Sequence, residues 1–259
     1  MLRTLLLFIF SLPIVCATAK EFTIAVNERQ IYRYVDAQGF WQGQDIELIR
    51  AVFKRTPHNF TLIAMPWSRI LKSIESGLVD MTLAASVLPE REDYALFTSH
   101  IFRHSHYVLF VNKQRLDSFA AIQSLADVAT ANVLIGALRG AIYSSTYASL
   151  LEDEQFLQRM VFIDNDQNLP QLAALGRVDG YIESEIEGRH YLQNWDKKQH
   201  QMVPLFRITN NQEASNYLMF SKQTVTMDTV AEFDAALNDL HASGEYLSIV
   251  AKYLPNVRH

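Results

Sequence analysis

Arg91 closes the stretch Gly77 to Arg91, GLVDMTLAASVLPER, and its guanidinium is the group in this sequence best placed to hold an anion. Gly77 is a helix stop that favours a residue free to take positive φ, and Val79 to Ala85 is an apolar run of strand length. Ser86 to Pro89 turns the chain, Pro89 has its φ preset for the first helical position, and Glu90, Glu92 and Asp93 put negative charge where a helix dipole favours it. A helix start at the carboxyl end of a strand is where α/β proteins bind small anions, and a guanidinium there can grip a carboxylate with two parallel hydrogen bonds. The competing assignment for Arg91 is a solvated arginine paired with carboxylates on its own helix.

Other chemistry-bearing groups are less decisive. Arg139, before Gly140, fits a second anion clamp and a solvated loop arginine equally well, whereas Arg69 reads as exposed or structural and Trp67 as a packing residue. Tyr32 and Tyr34 alternate and so share a face, which suits a ligand wall or a loop anchor. Glu183 and Glu185, read as alternate residues of one strand, fit an acid and base pair or a solvated face. The pair His104-x-His106 has the spacing of two metal ligands, but no cysteine or third ligand accompanies it, so structural histidines are expected, with no metal and no cofactor. No G-x-S-x-G elbow, phosphate loop or H-E-x-x-H is present.

The elements that must position these groups begin after a leader. Arg3, an apolar run from Leu5 to Cys16 and Ala17-Thr18-Ala19 read as a secretory signal peptide cut after Ala19. Cys16 is the only cysteine, so the mature chain has no disulfide and is held by an ordinary core. Loss of Arg3 leaves 22 cationic against 28 acidic side chains, a formal charge of −6, which argues against nucleic acid or an anionic membrane as partner.

Strands are expected at Phe22 to Val26, Phe60 to Ala64, Tyr107 to Val111, Asn132 to Ala137, Met160 to Ile163 and Asn216 to Ser221. Helices alternate with them at Asp45 to Arg55, from Pro66 to Gly77, at Tyr143 to Leu157, up to Gly176, and over Thr226 to Ser243 and Glu245 to Tyr253. Alternation of this kind means mostly parallel sheets covered on both faces. Gly77-Leu78-Val79-Asp80 is echoed by Gly176-Arg177-Val178-Asp179, each at a helix end and each opening an apolar strand, which reads as two lobes of one design. The expected division is a signal peptide over 1–19, a first lobe over 20–111 plus 216–259, and a second lobe over 112–215.

Several pieces together resemble the bacterial periplasmic solute-binding proteins of the amino-acid-binding type, family 3. They are Asp36-x-x-Gly39 before Gly43-x-Asp45, Trp67 with Gly77-x-x-Asp80, Ser86-x-x-Pro89-Glu90-Arg91, Arg139-Gly140, Gly176-Arg177-Val178-Asp179 and Gly244, in an order that covers nearly the whole mature chain. The resemblance implies a two-lobed type II periplasmic binding protein fold with the ligand cleft between the lobes, closing by a hinge. It also implies a monomeric, non-enzymatic receptor for an amino acid or small carboxylate, serving the membrane subunits of an ABC importer. Arg91 matches the arginine that grips the ligand α-carboxylate, with Ala84 and Ser86 beside it. Tyr32, Tyr34 and Trp67 fall on the wall of the ligand site, and Gly140 and Ala141, with Arg139 before them, on the facing helix start. Ser184 stands where the family usually has the aspartate that pairs with the ligand ammonium. An exported dehydratase-like enzyme using Glu183 or Glu185, and a sensory module, are the alternative functions within the same fold.

Overall fold

The computed structural model describes residues 19–194, 201–208 and 214–253. All of the expected signal peptide except Ala19 lies outside the described residues, as does Cys16. The first part of the chain runs through β1 (Glu21–Val26), a small hairpin of β2 (Tyr34–Val35) and β3 (Trp41–Gln42), α1 (Gln44–Phe53), β4 (Asn59–Ala64), α2 (Trp67–Glu75), β5 (Met81–Ala85), α3 (Pro89–Glu92), β6 (Ala95–Phe97) and β7 (Arg103–Ser105). The second part continues through β8 (Tyr107–Asn112), β9 (Ile135–Leu138), α4 (Ser145–Leu150), α5 (Glu154–Leu157), β10 (Met160–Ile163), α6 (Leu169–Ala174), β11 (Gly180–Ser184), α7 (Glu185–Asn194) and β12 (Met202–Arg207). The chain then returns through β13 (Ala214–Ser221), α8 (Met227–Ala242) and α9 (Glu245–Ala251).

Two sheets result, ordered β4-β1-β5-β13-β6 and β10-β9-β11-β8-β12, with β7 added to β13. β1 runs parallel to β4 and β5, and β9 parallel to β10 and β11, while the strands that carry the chain between lobes pair antiparallel. Both sheets are covered on both faces, as the helix and strand alternation requires. In the first lobe Phe22, Phe53 and Phe220 pack around Phe233 of α8 on one face, and Ile70 and Ile74 of α2 fill the other with Ala25 and Met219. Ring centroids there lie 5.1 to 5.2 Å from that of Phe233. In the second lobe Leu109, Ile135, Tyr147 and Phe156 form one layer, and Phe110, Leu169, Ala173 and Tyr181 the other.

Two expectations are corrected. Tyr107 to Val111 is a strand, but β8 pairs with β11 and β12 of the second sheet, so the first crossing falls before Tyr107 and not after Val111. All six residues of β8 are buried, and an all-apolar run carries no mark of which sheet it joins. The helix expected over Tyr143 to Leu157 is two short helices, because Ser144 caps one through Tyr147 N–H and Asp153 caps another through Gln155 N–H.

The echoed segments play the same part in each lobe. Gly77 and Gly176 close α2 and α6 at φ 72° and 68°, the left-handed conformation that glycine takes at least cost. The aspartates that follow each accept a backbone hydrogen from the neighbouring parallel strand or the residue before it: Asp80 from Thr23 N–H, within β1, at 2.9 Å, and Asp179 from Leu134 N–H, just before β9, at 2.8 Å. Asp80→Ala leaves the Thr23 amide without this acceptor and is expected to cost about 1–3 kcal/mol, whereas Asp80→Asn keeps an acceptor oxygen and costs less. Chemical denaturation of the three proteins checks this; equal losses for Ala and Asn would rule the amide contact out as the cause.

Candidate functional site

Arg91 is the one buried residue of α3, a four-residue helix started by Pro89. It is 4 % exposed and reaches across the cleft: Nη1 donates to the Ser86 carbonyl at 3.0 Å and Nη2 to the Gly140 carbonyl of the second lobe at 2.7 Å. Trp67 Nε1 donates to the same Gly140 oxygen at 3.1 Å, and the Arg91 guanidinium lies 5.7 Å from the Trp67 ring centre. Ser86 Oγ reaches the Ile142 carbonyl at 3.3 Å. Among the described residues no carboxylate pairs with Arg91, and burial pulls its pKa below the ordinary arginine value. A buried cation satisfied only by peptide carbonyls gains more from a carboxylate, whose hydrogen bonds to a guanidinium are charge-assisted on both sides.

Three further arginines face the same space. Arg33 donates to the Asn27 carbonyl at 2.8 Å and to Asn27 Oδ1 at 2.7 Å, and pairs with Asp45. Arg103 approaches the other oxygen of Asp45 at 2.8 Å, donates to Ser105 Oγ, and lies 3.9 Å over the Tyr32 ring. Burial pulls Arg33 below its ordinary value, Asp45 opposes this, and Arg29 and Arg103 add repulsion. Arg29 turns to the second lobe, where Nε donates to Glu187 at 2.8 Å, Nη2 contacts Glu183 and Glu187, and Nη1 lies 3.4 Å from Asp166. Glu183 and Asp166 are both pushed above the usual carboxylate range, by burial first and by the neighbouring carboxylates, against the pull of Arg29. Burial and mutual repulsion thus favour the protonated form of Glu183 and of Asp166.

Arg29, Arg33, Arg91 and Arg103 line a cavity between the lobes together with Trp67, Ala84, Ser86, Leu138, Ala141 and Ile142. Its volume is about 30 Å³, room for about one or two waters.

A family model for bacterial extracellular solute-binding proteins, family 3, matches residues 22–256. This chain belongs to that family. Its fold is that of an ancestral arginine-binding protein bound to arginine, at TM-score 0.75 and 19% identity over 90% of this chain and 98% of that one. It is likewise similar to the amino acid ABC transporter substrate-binding protein AbpA from Streptococcus pneumoniae bound to L-arginine, at TM-score 0.71 and 22% identity over 90% and 94% of the two chains. A histidine kinase sensor domain with similarity to periplasmic binding proteins matches at TM-score 0.74 and 19% identity, over 90% and 95%. No curated protein sequence matches this chain.

Within this solute-binding fold the residues singled out from sequence divide. Arg91, Ala84, Ser86, Trp67 and Ala141 line the cavity, and Gly140 supplies the carbonyl that Arg91 and Trp67 share. Tyr32 is buried beneath Arg103, and burial raises its hydroxyl to about 12, so it is a platform for that arginine and not an open wall. Tyr34 belongs to the β2–β3 hairpin and does not line the cavity. Arg139 points outward to Asp164 at 3.2 Å and the Phe162 carbonyl at 3.0 Å, so no second clamp forms there. Ser184 is buried, but its hydroxyl donates to Glu187 at 3.1 Å.

β11 ends at Ser184, so Glu183 and Glu185 do not share a face: Glu183 meets Arg29, and Glu185 starts α7 and pairs with Arg189 and Arg207 at 2.7 Å each. Among the described residues no group of three or more His, Cys, Asp or Glu is arranged to hold a metal, and His104 and His106 do not form such a site. Arg29, Arg33, Arg103, Asp45, Asp166 and Glu187 were not anticipated. Arg29 and Arg33 sit four apart in a loop that composition marks only as polar, and Asp45 reads as an ordinary first-turn carboxylate.

The raised pKa of Glu183 fixes a sign. Its contribution to stability is complete below the ordinary glutamate value of 4.5 and is lost as pH rises through the higher folded value. Asp166 works in the same direction. Glu183→Gln, neutral at every pH, should therefore lose less stability than the native chain as pH is raised from 4.5; melting temperatures with identical pH slopes would refute the raised value of Glu183.

Proposed function

We propose that this chain captures a small carboxylate-bearing metabolite, an amino acid or a related compound, by closure of its two lobes, in the periplasm, and hands it to the membrane subunits of an ABC importer. The observation that carries this is Arg91, buried at the lobe junction, donating only to peptide carbonyls at 3.0 and 2.7 Å. Opening the lobes frees its Gly140 contact, and a ligand carboxylate takes that place with both oxygens. The similar proteins bound to arginine support the same use of the fold.

Catalysis is not part of the proposal. Among the described residues no carboxylate lines the cavity, so the acid or base of a dehydratase-like reaction has no candidate there. A sensory role is the second reading, favoured by the similarity to a histidine kinase sensor domain. No helix among the described residues is long and apolar enough to cross a membrane.

Two measurements test the proposal. Titration with amino acids and small carboxylates should raise the melting temperature of the native chain, and Arg91→Lys, which cannot make the bidentate contact, should weaken binding at least about tenfold, or about 1.4 kcal/mol. Unchanged binding by Arg91→Lys and Arg91→Ala would remove the grip from this residue. Mass spectrometry of the exported protein should find Lys20 at the amino terminus; an uncut chain would refute the leader.

A further inference from the structure

The charges at the lobe junction do not cancel on either of its two sides. On the cleft side Arg91 has no carboxylate partner among the described residues, and Arg33 and Arg103 share the single carboxylate of Asp45. Among the described residues these three guanidiniums and one carboxylate leave two more positive than negative charges on this side, while Asp166, Glu183 and Glu187 around Arg29 put the opposite excess on the other. All the groups involved are at least nine-tenths buried, with Asp45 at 0 % and Arg103 at 2 % exposure, so water screens little of that excess.

On the far side the buried carboxylates of the second lobe are already paired with a cation of this chain. Asp166, Glu183 and Glu187 converge on Arg29, which comes from the opposite lobe. Ser184, at the head of that strand, spends its hydroxyl on Glu187. Of this cluster it is Arg29, and none of the three carboxylates, that lines the cavity.

Apolar and polar side chains both line the same cavity, Asn27, Ser86, Tyr107 and Asn216 being the uncharged polar ones. Ala84, Leu138, Ala141, Ile142 and the Trp67 ring border the cavity, which suits a short carbon chain. We infer that the ligand is a short organic dianion, a dicarboxylate without an α-amino group, held at one end by Arg91 and at the other by the Arg33 and Arg103 pair, with Arg29 excluding the amino acid analogue. This rests on the reading of Arg91 as the carboxylate grip. Arg29 acts as a built-in substitute for the ligand's cation and makes the acidic residues of the second lobe a latch between lobes.

Calorimetric titration of the full mature chain with matched pairs that differ only in the amino group tests this: succinate against aspartate, and glutarate against glutamate, with arginine, inorganic phosphate and sulfate alongside. The dicarboxylate of each pair is expected to bind at least tenfold more tightly than its amino counterpart, and arginine not at all. Aspartate, glutamate or arginine binding as well as the plain diacids, with loss in Arg91→Lys, would overturn this inference and leave the receptor proposal standing. Response to phosphate or sulfate but to no diacid would put both charges on one inorganic anion and overturn the dicarboxylate. No response to any of them would overturn both proposals.

Arg29→Ala gives an independent reading. With the guanidinium gone, the three carboxylates accept an ammonium, and glutamate or aspartate should gain at least tenfold in affinity over the native chain; no gain in a folded variant would count against the substitution of Arg29 for a ligand cation. The pairs measured on the native chain decide the question if Arg29→Ala does not fold.

Discussion

Taking a guanidinium out of water costs several kcal/mol unless its charge and its hydrogens are met locally. Four of them converge where the two lobes of this protein touch, each at least nine-tenths buried. Arg33 and Arg103 are met inside the first lobe by Asp45, Asn27 and Ser105, so these contacts do not depend on the second lobe. Arg29 and Arg91 are met across the junction, by carboxylates and by the Gly140 carbonyl. For these two side chains the contact between lobes and the satisfaction of buried charge are therefore made by the same interactions. A change at either residue acts on lobe geometry as well as on whatever lies between the lobes.

The two lobes repeat one local device and diverge at its end. In both, a helix closes on glycine, an aspartate accepts a backbone amide hydrogen in or just before the adjacent parallel strand, and a strand runs toward the cleft. In the first lobe that strand delivers Ala84, at φ 58°, and Ser86 before the turn to Arg91. In the second it delivers Glu183 and Ser184 and passes directly into α7, whose third residue is Glu187. The shared part supports the sheets and the divergent part supplies opposite charges, so the junction is basic on one wall and acidic on the other.

Much of the fold was legible along the chain, because period, caps and breakers act within a few residues. Gly77, Pro89, Gly176 and Gly244 punctuate the elements where their backbone chemistry requires, and Arg91, Ser86, Ala84, Trp67 and Ala141 do line one space. Where two signals competed, the stronger local one won: Asp153 capped a new helix within a stretch whose apolar pattern suggested one continuous helix. β8 was legible as a strand and illegible as a member of the second sheet, since burial on both faces erases the alternation that would show its neighbours.

The sequence by itself determined the alternation of the main strands and helices, the two-lobe design and the arginine at the end of the first echoed strand, all of which follow from contacts over a few residues. Only the tertiary structure decided what that arginine faces and what opposes it. Arg29 meets Glu183 across 154 positions of chain, and Arg91 meets Gly140 across 49. The balance of buried charge is a property of such distant pairs. It therefore appears only when the lobes bring them together, which is why the acidic latch and the surplus of positive charge in the cleft were not readable from spacing alone.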